Sequence, residues 1–516
     1  MSKSQKAAKS ALMIIIFSLG SKVLGFLREV LIAAKFGSGM ETDTFFIALS
    51  AASLIGNFLR NSVNTTFIPV ISEVEAKEGR DGKIEHTNNM INLIIAIAII
   101  LVIIASIGAP IIVRILASGF EGEQFNLAVK LTRIGLPIII FYGLVGVMKG
   151  FLESEQRFNA TAIIGFPFNF VYLIYLVFMS AQFGIEGLMI SAVVAVFSQI
   201  LIQIPEARKS GFRYVFIFDL KDKYIRRILY LSVPVIIGVA INDLNLIVDK
   251  TLASGLIDGS ISALNYGNKL NSLVLGVFVT AITTVVFPLL SKEFSNDNMA
   301  GVKKMMAYGV NLILLITIPA TVGLVVLSTP IVQVAFERGA FTPNDTIMTS
   351  SALIFYSLGL VASSLRLLIT RVYYSLQDTR TPVVNGAISV GLNIILSLIL
   401  VQFLDHAGLA FGTSIATTIA TLLMFYGLKR KIGSLGTVGY ITTFVKAGLA
   451  SAVMGIVAYT VYHGLYGFLG ISKLYNLISL LAAVGLAVIV YGILCYTLGV
   501  AEIRDIVSKI KVRTGK

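Results

Sequence analysis

The sequence predicts an all-α integral membrane protein with about 14 transmembrane helices, built as two pseudo-symmetric six-helix lobes followed by two C-terminal helices. Three observations carry this. The 516 residues are 56% hydrophobic and only 13% charged, with a mean hydropathy of +0.88, so lipid is the solvent for most of the chain. Apolar stretches close to the roughly 20 residues that cross a ~30 Å hydrocarbon core recur from end to end with short polar breaks. Finally, two motifs repeat at nearly one offset. FIPVISE (Phe67 to Glu73) and VFPLLSK (Val286 to Lys292) set Pro69 and Pro288 apart by 219 residues, and SEQRFNA and SLQDTRTP set Gln156 and Gln377 apart by 221.

In chain order, apolar segments place helices at about 11–36, 44–72, 90–109, 130–151, 160–182 and 184–205, which make an N-lobe over residues 1–205. A basic cytoplasmic linker, 206–226, carries Lys209, Arg213, Lys221, Lys223 and Arg226. Helices at about 227–252, 260–290, 305–328, 346–370, 382–403 and 406–428 make a C-lobe over 227–430. Two more, about 440–464 and 475–498, stand outside the repeat in 431–516 and precede a basic cytoplasmic tail. With the N-terminus inside, the cytoplasmic segments and their flanks collect 28 of the 41 Lys and Arg, so both termini are expected in the cytoplasm.

The net charge of +14 therefore reads as membrane topology, not as a nucleic-acid surface. The basic start (Lys3, Lys6, Lys9) leads into an apolar stretch that is long and interrupted by Lys22, so a cleaved signal peptide is not expected. Cys495 is the single cysteine, which excludes an intrachain disulfide and a cysteine metal cluster. His86, His406 and His463 lie far apart without ligand spacing, and no phosphate-cradling G-x-x-x-x-G-K-[ST] loop occurs. An enzyme, and a cofactor to serve one, are not expected.

Charges inside apolar helices are costly, about 2.5–3.5 kcal/mol each at the bilayer centre, and mark function by default. The first helix holds Lys22, Arg28 and Glu29. Lys22 and Arg28 are ~9 Å apart along the axis but differ by about 120° in azimuth, so a shared face needs a bend near Gly25. Pairing of Arg28 with Glu29 or Asp43, as a simple tie between helices, is the plain alternative. Asp43 opens the second helix, where a carboxylate also suits a cap. Arg60 adds a cation in the second helix beside Asn57, Asn61 and Asn64, and Lys269 adds one in the eighth, where snorkelling is the alternative. Cations converging from both lobes suit a diphosphate-bearing substrate. Asp243, Asp249, Asn393, Ser397 and Thr413 offer oxygens for a sodium ion, with interhelical hydrogen bonding as the alternative.

GSKVLGFLREVLIAAKFGSGMETDTFF (Gly20 to Phe46) resembles the MurJ (MviN) family, lipid II flippases of the multidrug/oligosaccharidyl-lipid/polysaccharide exporter superfamily. TTFIPVISE, VDKTLASGLIDGSISALNYGNKL, FERGAFTPNDT and YYSLQDTRTP continue the likeness in order over about residues 5–430. The resemblance implies a V-shaped pair of lobes around a central cationic cavity, a C-terminal helix pair grooved for a polyprenyl tail, and alternating access in the bacterial cytoplasmic membrane. It implies substrate-binding roles for Lys22, Arg28, Asp43 and Lys269, with Lys22 and Lys269 standing where the family usually has arginine; Arg60 is a substrate-binding candidate from its place inside the second helix alone. It further implies a sodium site at Asp249, Asn393 and Thr413, a polyprenyl-diphosphate-linked glycan as substrate, membrane lipids as neighbours and the cell-wall synthesis machinery as partner. The second helix, SAASLIGNFLRNSVNTTF, departs from the family pattern, and Arg60 has no certain counterpart there. Export of another polyprenyl-diphosphate-linked oligosaccharide is therefore the alternative substrate. A membrane-embedded glycosyltransferase would offer carboxylates on a sizeable loop, and a cation-coupled drug exporter an acidic cavity; the sequence favours neither.

Overall fold

A computed structural model describes residues 3–470 and 472–505; these form helices and turns, with no strand among the described residues. The tail beyond residue 505 lies outside the described residues, as do the side chains of Lys3, Lys6 and Lys9. By contact density the chain divides into two compact units, Met1–Ser262 with Arg338–Phe341, and Ala263–Glu337 with Thr342–Lys516. The helices in order are α1 (Lys3–Phe36), α2 (Met40–Ile107), α3 (Ala109–Leu116), α4 (Gly122–Gly135), α5 (Ile138–Ser154), α6 (Phe158–Ala162), α7 (Gly165–Ile174), α8 (Ser180–Lys209) and α9 (Lys223–Ser254). They continue with α10 (Ser260–Val274), α11 (Thr280–Ser295), α12 (Met299–Val326), α13 (Ser328–Phe336), α14 (Pro343–Leu358), α15 (Leu360–Ser375), α16 (Arg380–Ile432), α17 (Thr437–Leu469) and α18 (Lys473–Thr497).

Among the described residues, eight helical stretches are long and apolar enough to cross a membrane, or nine if α14 and α15, bent by 45°, form one span. Three of the eight run to 68, 52 and 53 residues. At 1.5 Å per residue those are about 80–100 Å long, far beyond one crossing of a ~30 Å core. Each is broken at one residue with a left-handed φ, Gly79 in α2, Gly184 in α8 and Asp405 in α16, so each supplies two antiparallel crossings.

These breaks belong to a pattern that runs through both halves. Positive-φ residues fall in pairs: Gly37 with Gly259, Gly79 with Asp297, Gly122 with Gly339, Gln156 with Gln377, Gly184 with Asp405, and Gly211 with Gly433, at offsets between 217 and 222. The hydrogen bonds repeat as well. Arg157 N donates to Leu152 O at 2.8 Å, and Asp378 N donates to Tyr373 O at 2.9 Å, the same six-residue closure of a helix end around each glutamine. A non-glycine residue in this region costs roughly 1–2 kcal/mol. Its recurrence at glutamine in both halves shows that the turn, not the side chain, dictates the conformation. The sequence repeat is thus a repeat of backbone geometry.

Each unit has its own core. In the first, Phe67, Val70 and Ile71 of α2 pack with Met90 and Ile94 beyond its break and with Val147 and Phe151 of α5. In the second, Val310 and Ile313 of α12, Leu368 and Val372 of α15, and Met424 of α16 share a cluster with Met454 of α17 and Ala483 of α18.

The basic linker is strapped down in the first unit. The amides of Asn88, Asn89 and Asn92 donate to the carbonyls of Arg213, Asp219 and Ile217, each at 2.9 Å, and Asn89 Oδ1 accepts from Asp219 N at 2.9 Å. Asp222 caps α9, accepting from Tyr224 N at 2.9 Å and Ile225 N at 3.3 Å. His86 lies in the charged stretch between the spans of α2, with Nδ1 2.5 Å from Asp222 and Nε2 2.9 Å from Glu78. Burial works against a charged imidazole here, but hydrogen bonds to two carboxylates outweigh it and raise the His86 pKa. Burial likewise opposes the Asp222 carboxylate, yet donation from His86, Asn89 and the Ile225 amide holds its pKa below the usual value.

Candidate functional site

Five of the eight residues singled out in the sequence fall in the first unit. Helix α1 is helical throughout Lys3–Phe36. No local break at Gly25 brings Lys22 and Arg28 onto one face, and their azimuths stay about 120° apart. Arg28 Nη2 donates to Glu29 Oε1 at 2.6 Å, with the two side chains only 15% and 4% exposed. The guanidinium also stacks on aromatic rings, 4.9 Å from the Tyr172 centroid and 5.4 Å from that of Phe168. A desolvated stack of this kind is worth about 2 kcal/mol, and the ion pair removes the need to bury a lone charge. The Nε proton of Arg28 is buried without a hydrogen-bond partner, which leaves one donor of the fork unsatisfied.

Asp43 does not pair with Arg28. It is 2% exposed, and its carboxylate accepts from Gly259 N at 2.8 Å, Ser262 N at 2.7 Å and Ser262 Oγ at 2.5 Å. It is therefore a cap in the physical sense, but for the start of α10 and not for its own helix. Nearby, Ser38 Oγ donates to Gly259 O at 3.0 Å, so the two repeat-related turns at Gly37 and Gly259 are joined by hydrogen bonds.

Arg60, in the middle of the first span of α2, stacks 4.6 Å above the Tyr142 ring of α5. Among the described residues it has no carboxylate partner within ion-pair distance. Glycine at 146 allows the approach, because a Cβ there would lie 3.1–3.2 Å from the Arg60 backbone. Asn57 and Asn64, one turn to either side, each bury an Oδ1 with no hydrogen-bond partner. This cluster of one arginine and two amides is the strongest polar feature of the span interior.

On α9, Asn245 Nδ2 reaches Asp249 Oδ2 at 3.5 Å, and Asp243 buries an Oδ2 without a partner. Lys250, which was not singled out in the sequence, lies close enough to Asp43 and Asp249 to interact with both charges, and its Nζ reaches Phe46 O at 3.5 Å. Its signal was the Asp-Lys dipeptide inside an apolar helix. The aromatic partners Tyr142, Phe168 and Tyr172 carried no signal, since an aromatic in an apolar helix looks like any lipid-facing residue.

The second unit holds Lys269 on α10, partly buried, and Asn393 and Thr413 on the two halves of α16. Asn393 Nδ2 donates to Thr413 Oγ1 at 2.8 Å, and Asn393 Oδ1 accepts from Ser397 Oγ at 3.3 Å. Two of the three residues expected to hold sodium are thus adjacent, while Asp249 belongs to the first unit. Arg366, on α15, donates to Ser389 Oγ at 3.1 Å, again with no carboxylate in ion-pair range among the described residues. Among the described residues no three His, Cys, Asp or Glu side chains converge on a metal position. The donors at hand are amide, hydroxyl and single carboxylate oxygens, which suit a hard cation.

Duplicated membrane hairpins carrying partly buried cations and unsatisfied amides within the spans define a polytopic membrane transporter. The family model described as "Lipid II flippase MurJ" matches residues 32–479. The chain belongs to that family. It is similar to the "Probable lipid II flippase MurJ" of Vibrio cholerae, at 31% identity over 445 residues, covering 82% of this chain and 83% of the relative. It is similar also to that of Rhizobium tropici, at 28% over 508 residues, covering 96% and 95%. Among solved structures, "Lipid II flippase MurJ, inward closed conformation" matches with a TM-score of 0.78 and 27% identity over 94% of this chain and 99% of its own. An inward-facing MATE transporter of the MOP superfamily matches with a TM-score of 0.67 at 14% identity, covering 82% of this chain and 99% of that one, a likeness of fold alone.

Proposed function

We propose that this chain is a lipid II flippase that moves the lipid-linked peptidoglycan precursor from the inner to the outer leaflet of the bacterial cytoplasmic membrane by alternating access. The observation that carries the reading is Arg60, a span-interior guanidinium held on a ring and not neutralised by a carboxylate. A fixed cation of this kind in a protein of this family is an anion-recognition group, and a diphosphate is the anion such a substrate brings. Lys22, Arg28 and Lys269 assist in drawing the diphosphate, and Asp43 holds the turn of Gly259 and Ser262 at the start of α10. The span count of 14 follows if the three broken helices cross twice and α1, α9 and the bent α14–α15 pair each cross once. Both termini are then cytoplasmic, in keeping with the basic inner segments.

Sodium resets the cycle in this reading, with Asp249 supplying charge and Asn393 and Thr413 supplying neutral oxygens. The cell-wall synthesis machinery receives the product at the outer face. The test is a proteoliposome assay in which labelled lipid II becomes accessible to an outside probe, run with and without a sodium gradient. Transport of lipid II, lost by at least about tenfold in Arg60→Ala with helicity unchanged, supports the reading. Proteoliposomes no faster than empty vesicles with lipid II, but active on another polyprenyl-diphosphate-linked oligosaccharide, overturn it in favour of that substrate.

A further inference from the structure

A cavity of about 530 Å³ lies in the first unit where α1, the α5–α6 turn and the far end of α8 meet. One wall is apolar, made by Phe17, Ile163, Ile202 and Pro205, with Phe17 set edge-on to Phe166 at 6.0 Å between centroids. The other end carries Gln156, Arg157 and Asn159. All three are exposed, and their side chains make no hydrogen bond or ion pair with other described residues. The one carboxylate at the rim, Glu206, is engaged by Lys209 of its own helix at 2.6 Å.

The repeat shows why this place is open and cationic. Arg157 follows the left-handed Gln156 as Asp378 follows the left-handed Gln377, and Lys209 stands two residues before Gly211 as Lys431 stands two before Gly433. In the second repeat Lys431 Nζ bonds Asp378 Oδ2 at 2.7 Å and ties the two positions together. In the first repeat both positions are cations, so the tie is impossible. Lys209 turns to Glu206, and the Arg157 guanidinium is left facing the cavity mouth.

We propose that this cavity seats an anionic cytoplasmic-leaflet phospholipid whose one phosphodiester charge is not offset by a cationic headgroup. Arg157 takes the phosphate through its fork of N–H donors, the Gln156 and Asn159 amides bond the polar head, and an acyl chain lies along Phe17, Ile163 and Ile202. Among the described residues the mouth offers one guanidinium without a carboxylate partner, which balances one negative charge; a lipid diphosphate brings more charge than these residues supply. The positive-inside distribution puts this end of α8, which continues into the basic linker, at the cytoplasmic face.

The test is native mass spectrometry of the full chain released from detergent micelles supplied with equal dioleoyl phosphatidylglycerol and phosphatidylcholine. The site predicts preferential retention of phosphatidylglycerol by the unsubstituted chain. Arg157→Asp, which installs the ion pair of the second repeat, and Arg157→Ala each lower that retention about tenfold, as expected for loss of a charge-assisted bond, whereas Arg157→Lys keeps most of it. Should Arg157→Asp misfold, Arg157→Ala carries the comparison. Equal retention of the two lipids, retention unchanged in Arg157→Ala, or displacement of phosphatidylglycerol by undecaprenyl diphosphate at equal concentration each overturns the proposal. The readout is lipid retention and not transport, so its failure and that of the flippase reading are distinguishable.

Discussion

Replacing Asp43 by alanine removes the acceptor for three donors at once, the Gly259 and Ser262 amides and the Ser262 hydroxyl, all inside a residue environment that is 2% exposed. Loss of a helix cap costs about 1 kcal/mol, and each buried donor left unsatisfied costs about 1–3 kcal/mol more. Relief of the buried carboxylate's own desolvation offsets part of this. The expected loss is on the order of 3–4 kcal/mol for Asp43→Ala and about half that for Asp43→Asn, whose single amide oxygen still accepts from one or two donors. The assay is helicity followed through titration of dodecyl sulfate into detergent-solubilised protein, paired with lipid II transport on the same preparations. If asparagine destabilises as much as alanine, or if alanine costs under about 1 kcal/mol, the cap argument is wrong. If instead both variants keep their stability yet lose transport, the carboxylate acts through its charge.

Two further outcomes follow from the geometry. Because the His86 pKa is raised above its ordinary 6.5, its ion pairs with Asp222 and Glu78 are complete below that value and are lost as pH rises through the folded-state pKa; Asp222, held below 3.8, contributes above 3.8 and fails only as pH falls through its own depressed value. Trypsin cleavage at Arg213 and Lys221 should therefore accelerate as pH rises above 6.5 and through the raised His86 pKa in the unsubstituted chain, and be fast throughout in His86→Ala; a rate insensitive to pH and to the substitution refutes the clamp. Gly408→Ala places a Cβ 2.3 Å from Leu400 O across the break in α16 and should cost about 2 kcal/mol or more, whereas Gly448→Ala in α17, with nothing within 4 Å, should stabilise by up to about 1 kcal/mol; equal effects in the same titration refute the packing assignment.

Much of the fold was legible because membrane spans are written in composition and the repeat in spacing. The pairing of Gln156 with Gln377, read from similar words at one offset, turned out to mark identical helix endings. The short polar breaks near 183 and 404 were readable because a helix of about 50 residues cannot lie in one ~30 Å crossing. Asp43 was readable as a cap but not as a cap for a helix more than two hundred residues away, since hydrogen bonds to a distant backbone leave no periodicity. Lys250 was missed because a cation near a helix end is the common snorkelling case. Asn88, Asn89 and Asn92 were missed because asparagines before an apolar run look like loop residues, and their partners are main-chain carbonyls of the linker, which any sequence supplies.

The six matched left-handed positions also act as a ruler. Across two halves whose side chains have drifted far enough for Asp to face Arg, the intervals between these marks have changed by five residues at most, between offsets of 217 and 222. Width of the bilayer fixes each interval from outside, and the reversal at each mark fixes it from within. The two largest differences between neighbouring marks are about four residues each, Gly37 to Gly79 against Gly259 to Asp297 and Gly122 to Gln156 against Gly339 to Gln377, while from the paired glutamines to the last pair of marks each interval agrees to within about one residue. The measure is therefore kept most tightly in the last two crossings of each half, where the reversals at Gly184 and Asp405 leave no loop to absorb a change.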